Sequence, residues 1–272
     1  MGVSKLAHPT ILSVISSSDP GLRHVFAFYL AHGLEKETSE FHFGRYDLSV
    51  VGEGAALARF PVLTLPSKFK ARIIEMSCDD FGTICAAFDL LYLRVGETQL
   101  TYWTLAVKDF HFVHSSTVDR SSNLCDSVCY AIIDTGTSFT YVPPQLYESV
   151  ISEVVAGKAC DLEQLVCENV GFESFPTLSF SFGLQDDGNF FHLRPQSYLD
   201  CDRGICTIEL LNHATLGDDL YWWVLGNSFI REYYTVFDYD KLEVGIACGE
   251  SSPECSIGQH KSEIFEKKGY DE

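Results

Sequence analysis

Short segments rich in β-branched and aromatic residues recur along this chain, each bounded by Gly, Asp, Ser or Pro. No other feature constrains its fold so strongly. They include Ser39–Arg45, Thr101–Val113, Tyr130–Asp134, Thr177–Phe182, Trp222–Leu225 and Tyr234–Asp238. Read as strands, they make the chain mostly β. Within the second segment Trp103, Leu105 and Val107 alternate with Thr104, Ala106 and Lys108, the pattern of a half-buried strand. Asp109 interrupts the run, and Phe110 and Phe112 resume it. Two short strands and one bulged strand fit this equally well.

A few short helices complete the picture. Pro9–Ser16 opens with a proline suited to the first helical turn and carries Ile11, Leu12 and Ile15 at helical spacing. Pro143–Val155 is the stronger helix. Leu146, Val150 and Val154 form one apolar row, and Tyr147, Ile151 and Val155 a second. Gly157 suits a left-handed stop. This stripe covers core and carries no chemistry.

Composition narrows the function classes. The 272 residues include 38 acidic and 19 basic side chains, a net charge of −19. So acidic a chain lacks the clustered Lys and Arg that grip a nucleic-acid backbone or an anionic membrane. Hydrophobic residues make up 46% and aromatics 13%, enough to fill a core. Ten cysteines read mostly as disulfides and imply an oxidising compartment. Yet the first residues lack a signal-peptide pattern, and no window reaches the ~18 apolar residues of a membrane span. Ser67–Leu100, with Cys78 and Cys85, fits no clean element, and after Cys248 the chain turns polar and loses strand pattern.

One segment concentrates the chemistry: Ala131-Ile132-Ile133-Asp134-Thr135-Gly136-Thr137-Ser138. A buried β-branched strand delivers a carboxylate to its own end, and small hydroxyl residues surround the acid as hydrogen-bond donors. Gly136 leaves room for a ligand to approach the backbone. A carboxylate held this way suits a general base acting on water. An Asp-Thr-Gly triplet alone arises by chance in roughly one chain in twenty of this length, so its surroundings decide the matter.

Those surroundings resemble the pepsin-like aspartic endopeptidases. Cys125-Asp-Ser-Val-Cys129 is similar to the small disulfide loop before the family's second catalytic loop. Tyr102-Trp103-Thr104-Leu105-Ala106-Val107 resembles its Tyr-Trp strand. Phe41-His42-Phe43-Gly44-Arg45-Tyr46-Asp47 resembles its inter-lobe strand, with Arg45 in place of a second glycine. Downstream, Phe175-Pro176-Thr177-Leu178-Ser179-Phe180, Trp223-Val224-Leu225-Gly226, Phe237-Asp238 and Val244-Gly245-Ile246-Ala247 are similar to segments of its C-terminal lobe, in the right order.

The resemblance implies a pepsin-like C-terminal lobe that hydrolyses peptide or protein substrates with no metal and no cofactor. It makes Asp134 one catalytic carboxylate and Thr135 a brace between the two active-site loops. It puts Gly136 and Thr137 against substrate backbone, and Tyr102 and Val224 at subsite walls. Residues 1–50 then read as a remnant of an N-terminal lobe with the inter-lobe strand. Residues 51–248 read as the C-terminal lobe, with 67–100 inserted, and 249–272 as a flexible tail. A secretory, acidic vacuole-like or extracellular location follows. Only Asp134 sits in an Asp-[Thr/Ser]-Gly triplet, and Met1-Gly2-Val3-Ser4 resembles a turn late in the family's first lobe. The chain therefore reads as incomplete, its partner the missing N-terminal lobe.

The resemblance also implies disulfides Cys125–Cys129 and Cys167–Cys206, with Cys201 an alternative to Cys206. Cys160–Cys201, Cys78–Cys85 and Cys248–Cys255 follow as leftover partners. Zinc is disfavoured because no paired histidines follow the cysteine pairs. His111 and His114 fall on opposite strand faces. Thr140 stands where a serine-hydrolase elbow needs glycine. Two other functions stay open: a non-catalytic binding protein that keeps the fold, and a homodimer whose two copies of Asp134 form the pair.

Overall fold

The computed structural model describes residues 11–19, 21–31, 38–52, 56–63, 102–114, 117–119, 124–125, 129–183, 189–212, 222–249, 255 and 257. The expected insertion at 67–100, the Cys78–Cys85 pair and Met1–Ser4 lie outside the described residues, as does most of 249–272.

The β-branched and aromatic segments form strands in three sheets. The first is antiparallel, in the order β2 (Glu40–Phe43), β1 (Val25–Tyr29), β16 (Tyr233–Asp238), β17 (Glu243–Cys248), β3 (Ala58–Pro61). It joins segments from opposite ends of the chain. Phe26 of β1 lies opposite Phe237 of β16, their rings stacked with centroids 4.8 Å apart.

The second sheet runs β11 (Phe191–Leu193), β10 (Thr177–Phe182), β4 (Thr104–His114), β6 (Cys129–Ile133), β15 (Trp222–Leu225), β7 (Thr140–Val142), β14 (Leu210–Asn212), with β5 (Thr117–Asp119) also on β4. Here β4 is one strand with a bulge. Asp109 has φ 53° and the pairing with β10 shifts between Ser179 and Ser181. The extra residue switches parity, so Leu105 and Val107 before it and Phe110 and Phe112 after it all reach the core. The half-buried expectation is corrected: Thr104–Val107 are buried without alternation, because β4 is an interior strand covered on both faces. Phe110 stacks on Trp223 at 4.3 Å and on Phe180 at 5.7 Å, tying β4, β15 and β10 together.

Helix α1 spans Ile11–Ser18 and ends two residues beyond the Ser16 of the pattern, whose Pro9 lies outside the described residues. Helix α2 (Pro144–Val154) buries Val150, Ile151 and Val154, with Leu146, Tyr147 and Val155 packed beside them. Gly157, at φ 72°, is the left-handed stop. Two single-turn helices, α3 (Pro195–Tyr198) and α4 (Asn227–Ile230), flank the later strands. Two buried carboxylates are each neutralised. Glu232 accepts from Arg194 at 2.6 Å and from the Ser197 hydroxyl, and Asp238 accepts from Arg23 at 2.9 Å.

The third sheet pairs two hairpins in the order β12 (Leu199–Asp202), β13 (Ile205–Ile208), β9 (Val166–Glu168), β8 (Ala159–Asp161). It corrects the pairing implied by the resemblance. Cys167 is bonded to Cys160, and Cys206 to Cys201, so neither Cys167–Cys206 nor Cys167–Cys201 forms. Each hairpin sets its own two cysteines directly opposite one another, so each bridge closes a short loop at low entropic cost. Cys160–Cys201 is excluded by distance, because three strand spacings, about 14 Å, separate the outer strands. Cys125 is joined to Cys129, and Cys248 to Cys255.

Tyr234 is buried in the first sheet. Its hydroxyl accepts the Asp47 N–H at 2.9 Å and lies 2.8 Å from His42 Nδ1. Burial, partly offset by that N–H, pushes its pKa up from 10.0 to about 12. Burial likewise raises Tyr198 and Tyr233. Each folded tyrosine holds its proton at a pH where the unfolded one has lost it. The resulting stabilisation is full below pH 10.0 and is lost as pH rises toward about 12. Urea titrations across that window should show falling stability, and Tyr234→Phe should flatten the slope.

Candidate active site

The Asp134 carboxylate sits where a strand ends and its loop is wrapped around another strand. The chain leaves β6 at Ile133, turns through Asp134–Phe139 and returns as β7. Between these two arms lies β15, parallel to β6 and antiparallel to β7, with Leu225 opposite both Ile133 and Thr140. The loop therefore straddles the end of β15 and is bonded to it. Asp134 N–H donates to the Leu225 carbonyl at 3.0 Å, Asn227 N–H to the Thr137 carbonyl at 2.7 Å, and Ser228 N–H to the Ser138 carbonyl at 3.1 Å. Beneath the loop the buried hydroxyls of Thr140 and Ser228 bond at 2.8 Å.

Such wrapping needs a residue without a side chain at the crossing. A Cβ on Gly226 would stand 2.3 Å from the Thr137 carbonyl oxygen and 2.4 Å from that of Phe139. Those oxygens are backbone and cannot swing aside.

Two donors from its own loop orient the half-buried carboxylate. Gly136 N–H reaches Oδ1 at 2.9 Å, and the Thr137 hydroxyl reaches Oδ2 at 2.6 Å. Gly136 itself is exposed, so the loop's backbone is open to solvent beside the acid. Thr135 is half-buried in the turn, and its hydroxyl has no hydrogen-bond partner among the described residues.

Strand register brings the other expected residues to the same face. Thr104 lies opposite Ile132, so extending that antiparallel pairing puts Tyr102, which is 43% exposed, opposite Asp134. Val224 pairs with Ile132 across β15 and β6, two residues before the acid and on its face. Val224 is only 6% exposed and packs with Ile132, Trp222, Tyr130 and Tyr141. His111 is buried 2.6 Å from the Asp109 carbonyl, and His114 bonds Glu153 at 2.8 Å, so neither joins this face. Among the described residues no group of three or more His, Cys, Asp or Glu is placed to hold a metal.

Sequence reasoning did not identify Gly226, the Asn227 N–H, or the Thr140–Ser228 pair as parts of the site. The one available signal was a glycine ending the apolar run Trp222–Leu225. Gly226→Ala should cost about 1–3 kcal/mol, the usual range for overpacking. Amide exchange at Asn227 and Ser228 should accelerate with it, and urea denaturation with exchange mapping reads both.

Residues 21–248 match the family described as eukaryotic aspartyl protease. The chain is 32% identical over 151 residues to gastricsin of Callithrix jacchus, covering 55% of this chain and 36% of that protein. It is 34% identical over 155 residues to gastricsin of Mus musculus, covering 55% and 36%. Against pepsin A of Sus scrofa it is 32% identical over 149 residues, covering 54% and 35%. The match thus spans about a third of the length of these curated relatives. The chain belongs to the pepsin-like eukaryotic aspartyl protease family.

Proposed function

We propose that the chain is one half of an aspartic endopeptidase active site, with Asp134 as its catalytic carboxylate. The observation that carries this reading is the oriented Asp134 carboxylate on an open loop backbone. Hydrolysis by this chemistry needs a second carboxylate. Two carboxyls at hydrogen-bond distance cannot both ionise, so one stays protonated while the other takes a proton from the attacking water. The protonated partner polarises the peptide carbonyl, and the pair titrates as a unit.

On this reading an N-terminal lobe supplies the second carboxylate. Residues 1–50 are its end together with the inter-lobe strand, 51–248 are the C-terminal lobe, and 249–272 are a tail. Gly136 and Thr137 offer backbone groups to an extended peptide, and Thr135 braces the partner loop. Tyr102 and Val224, on the face of the acid, form subsite walls. Four disulfides support a secretory route. The charge of −19 supports an acidic one, since carboxylate protonation there relieves self-repulsion.

The chain is to be assayed on unfolded protein substrate at acid pH, alone and together with a pepsin-like N-terminal lobe carrying its own Asp-Thr-Gly loop. Activity is expected when both lobes are present, and Asp134→Asn should lower it by on the order of 10²–10⁴-fold, the share of a positioned general base. Cleavage unaffected by Asp134→Asn overturns the assignment. Cleavage by the chain alone, from a species of dimeric mass, shifts the second carboxylate to another copy of Asp134. No cleavage in any combination favours a binding protein that keeps the fold.

A further inference from the structure

The two bridges of the third sheet share one row. Cys201 lies opposite Cys206, Cys206 opposite Cys167, and Cys167 opposite Cys160, across β12, β13, β9 and β8. Residues directly opposite one another share a face of a sheet, so all four sulfurs lie on one side. That side packs against the core. Cys167 and Cys206 are 0% exposed and belong to it, while Cys160 and Cys201 are only half-buried at its margin. The outer cysteine of each bridge is therefore partly exposed, and the inner one is not.

We propose that this row is a thiol-exchange modification site, where a low-molecular-weight thiol adds to Cys160 or Cys201 and the inner cysteines become bridged. Entering at Cys160, the thiolate forms a mixed disulfide with its Sγ and breaks the Cys160–Cys167 bond, releasing Cys167 as thiolate. This thiolate lies in an apolar surround that solvates it poorly, one strand spacing, about 4.8 Å, from the Cys206 backbone. Its attack on Cys206 Sγ forms Cys167–Cys206 and expels the Cys201 thiolate, which takes a proton from water. Nucleophile, central sulfur and leaving sulfur follow one another along the row, the in-line order that displacement at sulfur requires. Entry at Cys201 is the mirror sequence, ending with the adduct on Cys201 and a free thiol on Cys160.

Two S–S bonds exist before and after, and the thiol consumed outside is replaced by one on the chain, so no oxidant or reductant is needed. The freed outer cysteine is three strands away from the adduct and cannot attack it directly. The backbone register already places Cys167 against Cys206. Exchange thus turns two bridges, each within a hairpin, into one that ties the two hairpins together. It is independent of any proteolytic activity.

The test uses the intact 272-residue chain and glutathione at mildly alkaline pH without denaturant, followed by iodoacetamide trapping and peptide mass mapping. Cleavage after Glu163 separates Cys160 from Cys167, and cleavage after Arg203 separates Cys201 from Cys206. The expected product gains one glutathione per chain, on Cys160 or Cys201. It has a Cys167–Cys206 linked peptide and an alkylated cysteine at the other outer position. Glutathione on Cys160 with alkylated Cys167 and an intact Cys201–Cys206 bridge overturns the proposal, as does a chain that gains no glutathione. Cys201→Ser gives a second reading, because it leaves Cys206 free beside the Cys160–Cys167 bridge. Without added thiol, this variant should hold a measurable fraction of Cys167–Cys206 with Cys160 alkylated. Retention of Cys160–Cys167 alone also overturns it.

Discussion

The loop that carries Asp134 is held by a strand threaded between its two arms. β15 separates β6 from β7, and the chain joining those strands must pass over its end. The crossing is tight enough that Gly226 approaches two loop carbonyls, and the adjoining amides of Asn227 and Ser228 satisfy the loop oxygens. Every residue of β15 is buried, and Trp223 stacks on Phe110 in the centre of the sheet. The position of the carboxylate is thus set by core packing one strand away, rather than by the loop's own preferences. A loop so anchored holds its geometry to the tolerance of the sheet.

The three carboxylates whose bonding stands out here show how environment sorts one functional group into different tasks. Glu232 and Asp238 are fully buried and each meets an arginine, so their charge is cancelled and they serve to join segments. Asp134 is half-buried, and its donors among the described residues are neutral: a backbone amide and a hydroxyl. Such donors hold the group in place while leaving its charge uncompensated and open to solvent. The apolar group around Val224, Ile132 and Trp222 gives the same face a dry flank.

Much of this was legible in the chain itself, to the extent that the signals were local. The strand at Trp222–Leu225 and the helix beginning near Pro143 follow from β-branched runs and a two-row apolar stripe. The Asp-Thr-Gly turn carries its own hydrogen-bond donors, so the carboxylate's immediate setting is also readable. What escaped was non-local. Whether Asp109 split a strand or bulged it depended on the partner strand β10, whose register absorbs the extra residue. The burial of Thr104 and Ala106 depended on cover for both sheet faces. Disulfide partners depended on which cysteines register brought opposite one another, and a family pattern proved a poor guide to that. The role of Gly226 became visible only when Thr137 and Phe139 were placed above it.

The threading of β15 also has a bearing on the order in which the protein can be made. The arms β6 and β7 leave the ribosome well before the strand that belongs between them. The first sheet has the same property, since β1 pairs with β16, far along the chain. Both depend on contacts of very long sequence separation, the kind that form slowly. Until the last strands emerge, the Asp134 loop has no β15 to wrap and β1 has no β16 to pair with. The nascent chain must therefore carry unpaired, aromatic-rich strand edges while the residues between these partners are made, exposed to mispairing and to aggregation. The carboxylate's setting is complete only once β15 has emerged.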